Sequence, residues 1–145
     1  MLIQTKDLGS VDIREDAVIH FPKGIYGFEE SRRFALLDTG SSSGVMHLQC
    51  VDNLTPRFIV LDPFALLEDY APQIPAEALR ALRAEAPEQL SLFAITVVPQ
   101  NYRAATANLK SPIAIHFKER LGMQVILDNR EYSVRFRLFA HERTE

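Results

Sequence analysis

The chain has 145 residues, of which 47% are hydrophobic and 24% are charged, and its formal net charge is −3. This composition indicates a globular protein, and no apolar run approaches the roughly 18 residues of a membrane-spanning helix. The basic residues are dispersed, which argues against binding to nucleic-acid phosphates and favours a basic protein partner.

Six short strands are predicted in the first part of the chain. They are Leu2 to Thr5, Ser10 to Ile13, Ala17 to Phe21, Arg33 to Leu37, Val45 to Val51 and Arg57 to Leu61. The polar start of the chain lacks the apolar core of a secretory signal, so we expect a cytoplasmic protein. Cys50 is the single cysteine, and its place in an alternating strand predicts a core thiol.

The segment from Phe21 to Glu29 alternates Pro and Gly with the large apolar residues Ile25, Tyr26 and Phe28. Large apolar side chains in a turn-rich segment are costly to expose unless a partner or the core takes them up. The segment is therefore predicted to be shaped surface or a turn that builds it.

One helix is predicted in the middle of the chain. Pro75 opens it, Ala76 to Ala86 continue it, and Pro87 stops it. About three turns are too short to be stable alone, so its apolar face should cover a sheet edge or a barrel mouth. The run from Leu90 to Val98 is apolar on both faces, which predicts a strand covered on both sides.

The last third of the chain predicts a meander of three strands. Ile113 to Lys118, Met123 to Asp128 and Tyr132 to Leu138 all show alternation. The short polar link from Asp128 to Glu131 predicts that the last two runs pair as an antiparallel hairpin.

A polar segment interrupts two apolar runs in this part of the chain, and it contains Asn108, Leu109, Lys110 and Pro112. We therefore expect the flanking strands to hold this segment in a fixed position. The Asn108 amide would bond either to the backbone of a partner or to its own turn, and the residues leave both interpretations open.

No catalytic or metal-binding pattern is present in the sequence. The histidines do not have the i, i+4 spacing or the cysteine companions of a zinc site, and we expect His20 and His116 on the wetter faces of their strands. The four histidines are His20, His47, His116 and His141. The sequence predicts neither an enzyme nor a cofactor.

Five segments stand in a distinctive order and spacing: Phe21 to Glu29, Leu48 to Asp52, Phe58 to Pro63, Thr106 to Ile113, and Gln124 to Leu127 with Tyr132 to Arg135. Together they resemble the bacterial flagellar assembly factor FliW family. The resemblance runs from residue 1 to about 138 and implies a single domain over 1–138. The expected fold is mainly β, a small, partly open antiparallel β-barrel with one short helix and no enzymatic activity. The tail 139–145 lies outside the resemblance and is a candidate for disorder.

The resemblance also implies a function as a cytosolic partner-switching protein. Such a protein binds unsecreted flagellin and, at other times, the translational regulator CsrA, a small RNA-binding dimer that represses flagellin synthesis. The resemblance further implies that binding takes place away from the RNA surface of the regulator, which is an allosteric mode.

Eight residues are candidates for these contacts. Five of them are apolar residues in loop-like segments, which would either line a groove for a flagellin helix or belong to the ordinary core. The other three belong to the segment that begins at Asn108. The candidates are Ile25, Tyr26, Phe28, Leu66, Leu67, Asn108, Leu109 and Lys110. Two other classes stay open, a small-ligand barrel and an RNA-binding barrel.

Overall fold

A computed structural model describes residues 1–40 and 44–139. The strands in these ranges are β1 (Leu2–Gln4), β2 (Ser10–Asp12), β3 (Ile19–His20), β4 (Arg33–Asp38), β5 (Met46–Cys50), β6 (Arg57–Leu61), β7 (Ser91–Val97), β8 (Thr106–Ala107), β9 (Ile113–His116), β10 (Leu121–Gln124) and β11 (Phe136–Arg137). The α-helices are α1 (Pro63–Leu66) and α2 (Ala76–Ala81), and 3-10 turns lie at Glu15–Ala17, Pro87–Gln89 and Tyr102–Ala104.

Seven strands form a closed ring. β3 to β7 follow one another as an antiparallel meander, β7 also pairs with β9, and β9 pairs with β10. β10 then meets β3 through the parallel pair of Leu121 with His20. The mainly β fold and the antiparallel barrel are confirmed. We expected the barrel to be partly open, but it is closed because β7 pairs with β6 along one edge and with β9 along the other. β1 and β2 form a separate two-stranded sheet, from which Ile3 packs against Ala35 and Leu37.

β8 and β9 are two halves of one strand, separated by a bulge. Thr96 of β7 faces Ala107, and Phe93 faces Ile113. Three steps along β7 (96 to 93) therefore match six along its partner (107 to 113), which leaves three extra residues between the two halves. Such an insertion bends the strand and takes its extra residues out of register with β7. The bulge contains the predicted polar feature, Asn108 to Pro112.

The predicted hairpin of the last two runs is wrong. The N–H of Val125 donates to the Pro112 carbonyl (2.9 Å) and the N–H of Leu127 to that of Lys110 (3.0 Å), so the first run continues β10 along β9. The second run lies beside the other half of the same strand, where the N–H of Leu109 donates to the Ser133 carbonyl (3.0 Å) and β11 pairs with β8. Both runs are antiparallel to one strand and hence point the same way, which an antiparallel hairpin excludes.

The predicted helix is shorter than expected, because it ends at Ala81 and not at Ala86. Arg83 takes a left-handed φ of 56°, and the N–H of Ala84 turns back to the Leu79 carbonyl (2.8 Å), which closes the helix end. A second helix, α1, was missed although Asp62 caps it by accepting from the N–H of Phe64 (2.9 Å).

Two apolar clusters lie on opposite faces of the barrel wall. The interior cluster includes Phe21, Phe34, Leu48, Cys50, Val60, Ile113 and Ile115. The outer cluster includes Tyr70, Ala78, Leu82, Ala94, Leu109, Ala114, Val125 and Leu127. The helix α2 therefore covers the outer face of the barrel wall, whereas we expected it to cover a sheet edge or a barrel mouth. The strand covered on both faces is β9, whose four residues are all buried, whereas β7, predicted to be so, is mostly half-buried and exposes Val97.

His116 was predicted on a wet face, and this is wrong. The side chain is buried beneath α2, and its Nδ1 lies 2.7 Å from the Leu82 carbonyl, to which it donates. His20 is exposed, as predicted. His141 and the predicted tail 139–145 lie outside the described residues, apart from Phe139, whose ring meets Tyr102 edge-on at 5.4 Å. In residues 1–40 and 44–139, no helix is long and apolar enough to cross a membrane.

Candidate partner-binding surface

Tyr26 stands at the apex of a tight turn that the local sequence specifies. The N–H of Phe28 donates to the Ile25 carbonyl (2.7 Å), which places Tyr26 and Gly27 at the two central positions. Gly27 has a φ of +87°, the conformation that the second central position of a type II turn requires. The Tyr26 side chain is 60% exposed as a result.

We call the segment from Lys23 to Glu29 the Tyr26 turn. Its base is anchored in the barrel. Ile25 is 1% exposed, and Phe28, still 44% exposed, contacts Phe58 edge-on with ring centroids 5.3 Å apart. Phe58 in turn lies 6.2 Å from the ring of Phe34, a core residue. A Cβ at Gly24 would fall 2.6 Å from the backbone of Glu29, so only glycine permits this close approach.

A cleft of about 270 Å³ lies beside the Tyr26 turn. Its walls come from the turn, from the start of α2, and from residues 123–126 at the end of β10. The lining residues are Lys23, Gly24, Tyr26, Glu29, Pro75, Glu77, Ala78, Met123, Gln124, Val125 and Ile126. Ile126 is 52% exposed, so the cleft has a large exposed apolar side chain on two of its walls. Three charged side chains, Lys23, Glu29 and Glu77, complete the lining.

Gln124 joins the two segments that the sequence singled out. Its Oε1 accepts from the N–H of Tyr26 (3.2 Å), and its Nε2 donates to the Ser111 carbonyl in the bulge (3.1 Å). The sequence offered no signal for this role, because Gln124 is one polar residue among several in an alternating run. The Tyr26 turn and the bulge are thus parts of one surface.

The bulge is fastened by its own side chains. The Asn108 Oδ1 accepts from the N–H groups of Lys110 (3.2 Å) and Ser111 (2.9 Å), which is the local role that the sequence left open for this amide. Leu109 is 1% exposed, and its carbonyl accepts from the Tyr70 hydroxyl (2.7 Å). Burial in the same cluster raises the pKa of Tyr70 well above its ordinary value, so its hydroxyl stays a donor.

Asn129, in the link once predicted to be a hairpin turn, binds the segment between α1 and α2. Its Oδ1 accepts from the N–H of Gln73 (2.8 Å), and its Nδ2 donates to the Ala71 carbonyl (3.1 Å) and to the Glu131 carboxylate (3.2 Å). Lys110 reaches the Asn129 carbonyl with its Nζ at 2.6 Å. The pKa of Glu131 is lowered by its own backbone N–H and by the Asn129 amide.

The eight candidate contact residues therefore fall into different environments. Tyr26 and Phe28 are exposed, while Ile25 and Leu109 are buried. Leu66 and Leu67 are half-buried against the outer cluster, and Asn108 and Lys110 are half-buried with bonds inside the chain. Met123, Gln124 and Ile126 also line the cleft, but none of them was among the predicted contact residues.

The described part of the chain holds no group of three or more His, Cys, Asp or Glu side chains that could ligate a metal ion. Burial lowers the pKa of His47, the nearby Arg57 lowers it further, and Asp7, which pairs with Arg57 at 2.6 Å, acts in the opposite direction. His47 therefore holds its proton less tightly than a solvated imidazole.

Comparison with known proteins gives matches over almost the whole chain. The model of a family described as "FliW protein" matches residues 2–138. A flagellar assembly factor FliW from Treponema denticola is 35% identical over 140 residues, which cover 97% of this chain and 95% of the relative. Another, from Symbiobacterium thermophilum, is 41% identical over 125 residues, covering 86% and 91%. A crystal structure of the flagellar assembly factor FliW superposes with a TM-score of 0.88 at 33% identity, covering 96% of this chain and 97% of that one.

Proposed function

The chain belongs to the FliW family of flagellar assembly factors, and on that premise we propose that it is a cytoplasmic partner-switching protein. It binds unsecreted flagellin, and when flagellin has been exported it binds the translational regulator CsrA. Binding removes CsrA from the flagellin message by an allosteric route and so relieves repression of flagellin synthesis. Members of this family are not enzymes, and the activity consists of binding alone.

The match of the family model to residues 2–138 is the observation that carries this proposal. The surface is compatible with it, because Tyr26, Phe28 and Ile126 are large, exposed and apolar on a rigid base. Exposed aromatic and aliphatic side chains held by a scaffold are typical anchors of protein interfaces.

The geometry favours a protein partner over a small ligand. The barrel interior is filled by the interior cluster, in which Phe21, Phe34 and Leu48 are 0% exposed. The cleft beside the Tyr26 turn has about 270 Å³, which is at the lower limit of the roughly 300–1,000 Å³ of small-molecule sites. An RNA-binding barrel is disfavoured by the carboxylates of Glu29 and Glu77 in the same cleft, since nucleic-acid grooves are basic.

Titration calorimetry of the purified chain with purified CsrA, and separately with monomeric flagellin, tests the proposal. We expect both to bind, and we expect flagellin to release CsrA from a preformed complex. In a gel shift with flagellin leader RNA, the chain should displace CsrA from the RNA. In the absence of CsrA, the chain should not shift the RNA. Absence of binding to both proteins, or a shift of the RNA by the chain itself, would refute the proposal.

A further inference from the structure

The cleft between the Tyr26 turn, the start of α2 and residues 123–126 has the properties of a protein-docking site. We infer that it takes a cationic protein segment, which inserts one long apolar side chain and places a Lys or Arg beside the rim carboxylates. The inference rests on the proposed function, in which the RNA-binding regulator is the cationic partner.

The walls of the cleft favour an apolar anchor. Tyr26 and Ile126 are 60% and 52% exposed on two sides, and Met123, Val125 and Ala78 lie between them. The volume of about 270 Å³ accommodates a side chain but not a whole helix. An apolar side chain placed there would cover exposed apolar surface on two walls at once, which is the arrangement of an interface hot spot.

The charges of the cleft favour a cationic partner. The lining contains two carboxylates, those of Glu29 and Glu77, and one ammonium, that of Lys23. Glu29 is held in place by the N–H of Gly27, which donates to its Oε2 (3.1 Å), and Glu77 lies in the first turn of α2. Proteins that bind RNA carry an excess of positive charge, and the field of that charge extends beyond the RNA surface itself. The carboxylates of the rim therefore attract such a partner even when the docked segment lies away from its RNA surface, and this attraction mainly raises the association rate.

The cleft is also preformed, which lowers the cost of binding. Gln124 ties the Tyr26 turn to the bulge, Gly24 packs against Glu29, and Phe28 anchors the turn on Phe58. Little backbone ordering is therefore needed when a partner binds.

Two cleft variants and two matched controls test the inference by calorimetry with purified CsrA. Ile126→Ser removes an apolar wall, and Glu77→Lys reverses a rim charge. Val97→Ser and Glu88→Lys make the same kinds of change at exposed positions that do not line the cleft. We expect Ile126→Ser to weaken CsrA binding about tenfold or more, since hot-spot losses exceed about 1.4 kcal/mol. Glu77→Lys should weaken binding several-fold and reduce its dependence on salt, while both controls stay within about twofold.

Circular dichroism and thermal melting show whether each variant is folded, and Tyr26→Ser serves as a second wall variant if Ile126→Ser unfolds. The inference is overturned if the original chain binds CsrA and the folded cleft variants bind it equally well, a result that leaves the proposed function intact. If the original chain binds neither CsrA nor flagellin, the proposed function fails and the inference fails with it. A parallel loss of flagellin binding in the cleft variants would support the inference and indicate that the two partners share the cleft.

Discussion

Replacing Asn129 by Ala is expected to lower the free energy of unfolding by about 2 kcal/mol. Asn129 is 6% exposed and makes two bonds to the segment between the helices, one from the N–H of Gln73 and one to the Ala71 carbonyl. One hydrogen bond makes a net contribution of about 1 kcal/mol to the free energy of unfolding, and the loss is larger when the group left without its partner is buried. Ala71 and Gln73 are themselves exposed, so water can reach the freed groups, and the two bonds alone set the estimate.

The expected loss can be measured in two ways. Denaturant unfolding followed by circular dichroism gives the free energy directly, and the melting temperature should fall by about 6 °C for a chain of this length. Hydrogen exchange gives the local effect: the amide of Gln73 should exchange up to about 30-fold faster, since 1.4 kcal/mol corresponds to a factor of ten.

Asn101→Ala is the matched control for Asn129→Ala. Asn101 is exposed, and its side chain accepts one local bond, from the N–H of Arg103 (3.2 Å). This variant should change the free energy of unfolding by about 0.5 kcal/mol or less. The reasoning is refuted if Asn129→Ala is no more destabilising than Asn101→Ala, because the link would then not hold the segment between the helices.

Three further changes give distinct results. Gly122→Ala places a Cβ 2.5 Å from Cζ of Phe21, so denaturant unfolding should show a loss of about 2 kcal/mol or more; a stability equal to that of the original chain would contradict this packing. Leu109→Ala leaves a cavity at a buried site and should lower the free energy of unfolding by about 3 kcal/mol in the same assay. Leu54 is half-exposed, so Leu54→Ala should lower it far less, and equal losses would be evidence against the burial of Leu109. The pKa of His47 is lowered in the folded chain, so the unfolded chain binds its proton more tightly, and stability should fall as the pH drops below about 6.5. His47→Gln should make the loss between pH 7 and 5 shallower, and unchanged slopes would rule out this contribution.

Local patterns were sufficient to predict most of the strands. Alternation of Met46, Leu48 and Cys50 with polar residues identified the strand that the structure places at Met46–Cys50. The short apolar runs in Arg33 to Leu37 and Arg57 to Leu61 likewise correspond to the strands Arg33–Asp38 and Arg57–Leu61. The period of side-chain direction in a strand is a property of neighbouring residues, and it can be read without knowing the partner strand. The Tyr26 turn is local in the same sense, because the left-handed backbone at Gly27 is a requirement of the turn itself.

Strand pairing was not predictable in the same way, and the C-terminal third shows why. The runs from Met123 and from Tyr132 are separated by a short polar link, a pattern typical of hairpins, yet they lie along β9 and β8, the two halves of one strand. The bulge at Asn108 divides that strand into two halves, each with a free edge for one run. The choice between a hairpin and this arrangement depends on contacts remote in sequence.

The sequence by itself determined the mainly β character of the chain, the shape of its Tyr26 turn and its resemblance to the FliW family, since each of these is carried by neighbouring residues. Only the tertiary structure decided the closure of the ring, the burial of His116 beneath α2, and the bridging roles of Gln124 and Asn129. Gln124 is 98 positions from Tyr26, and Asn129 is 56 from Gln73. A polar side chain acquires such a role only when folding brings a distant backbone group within hydrogen-bonding distance.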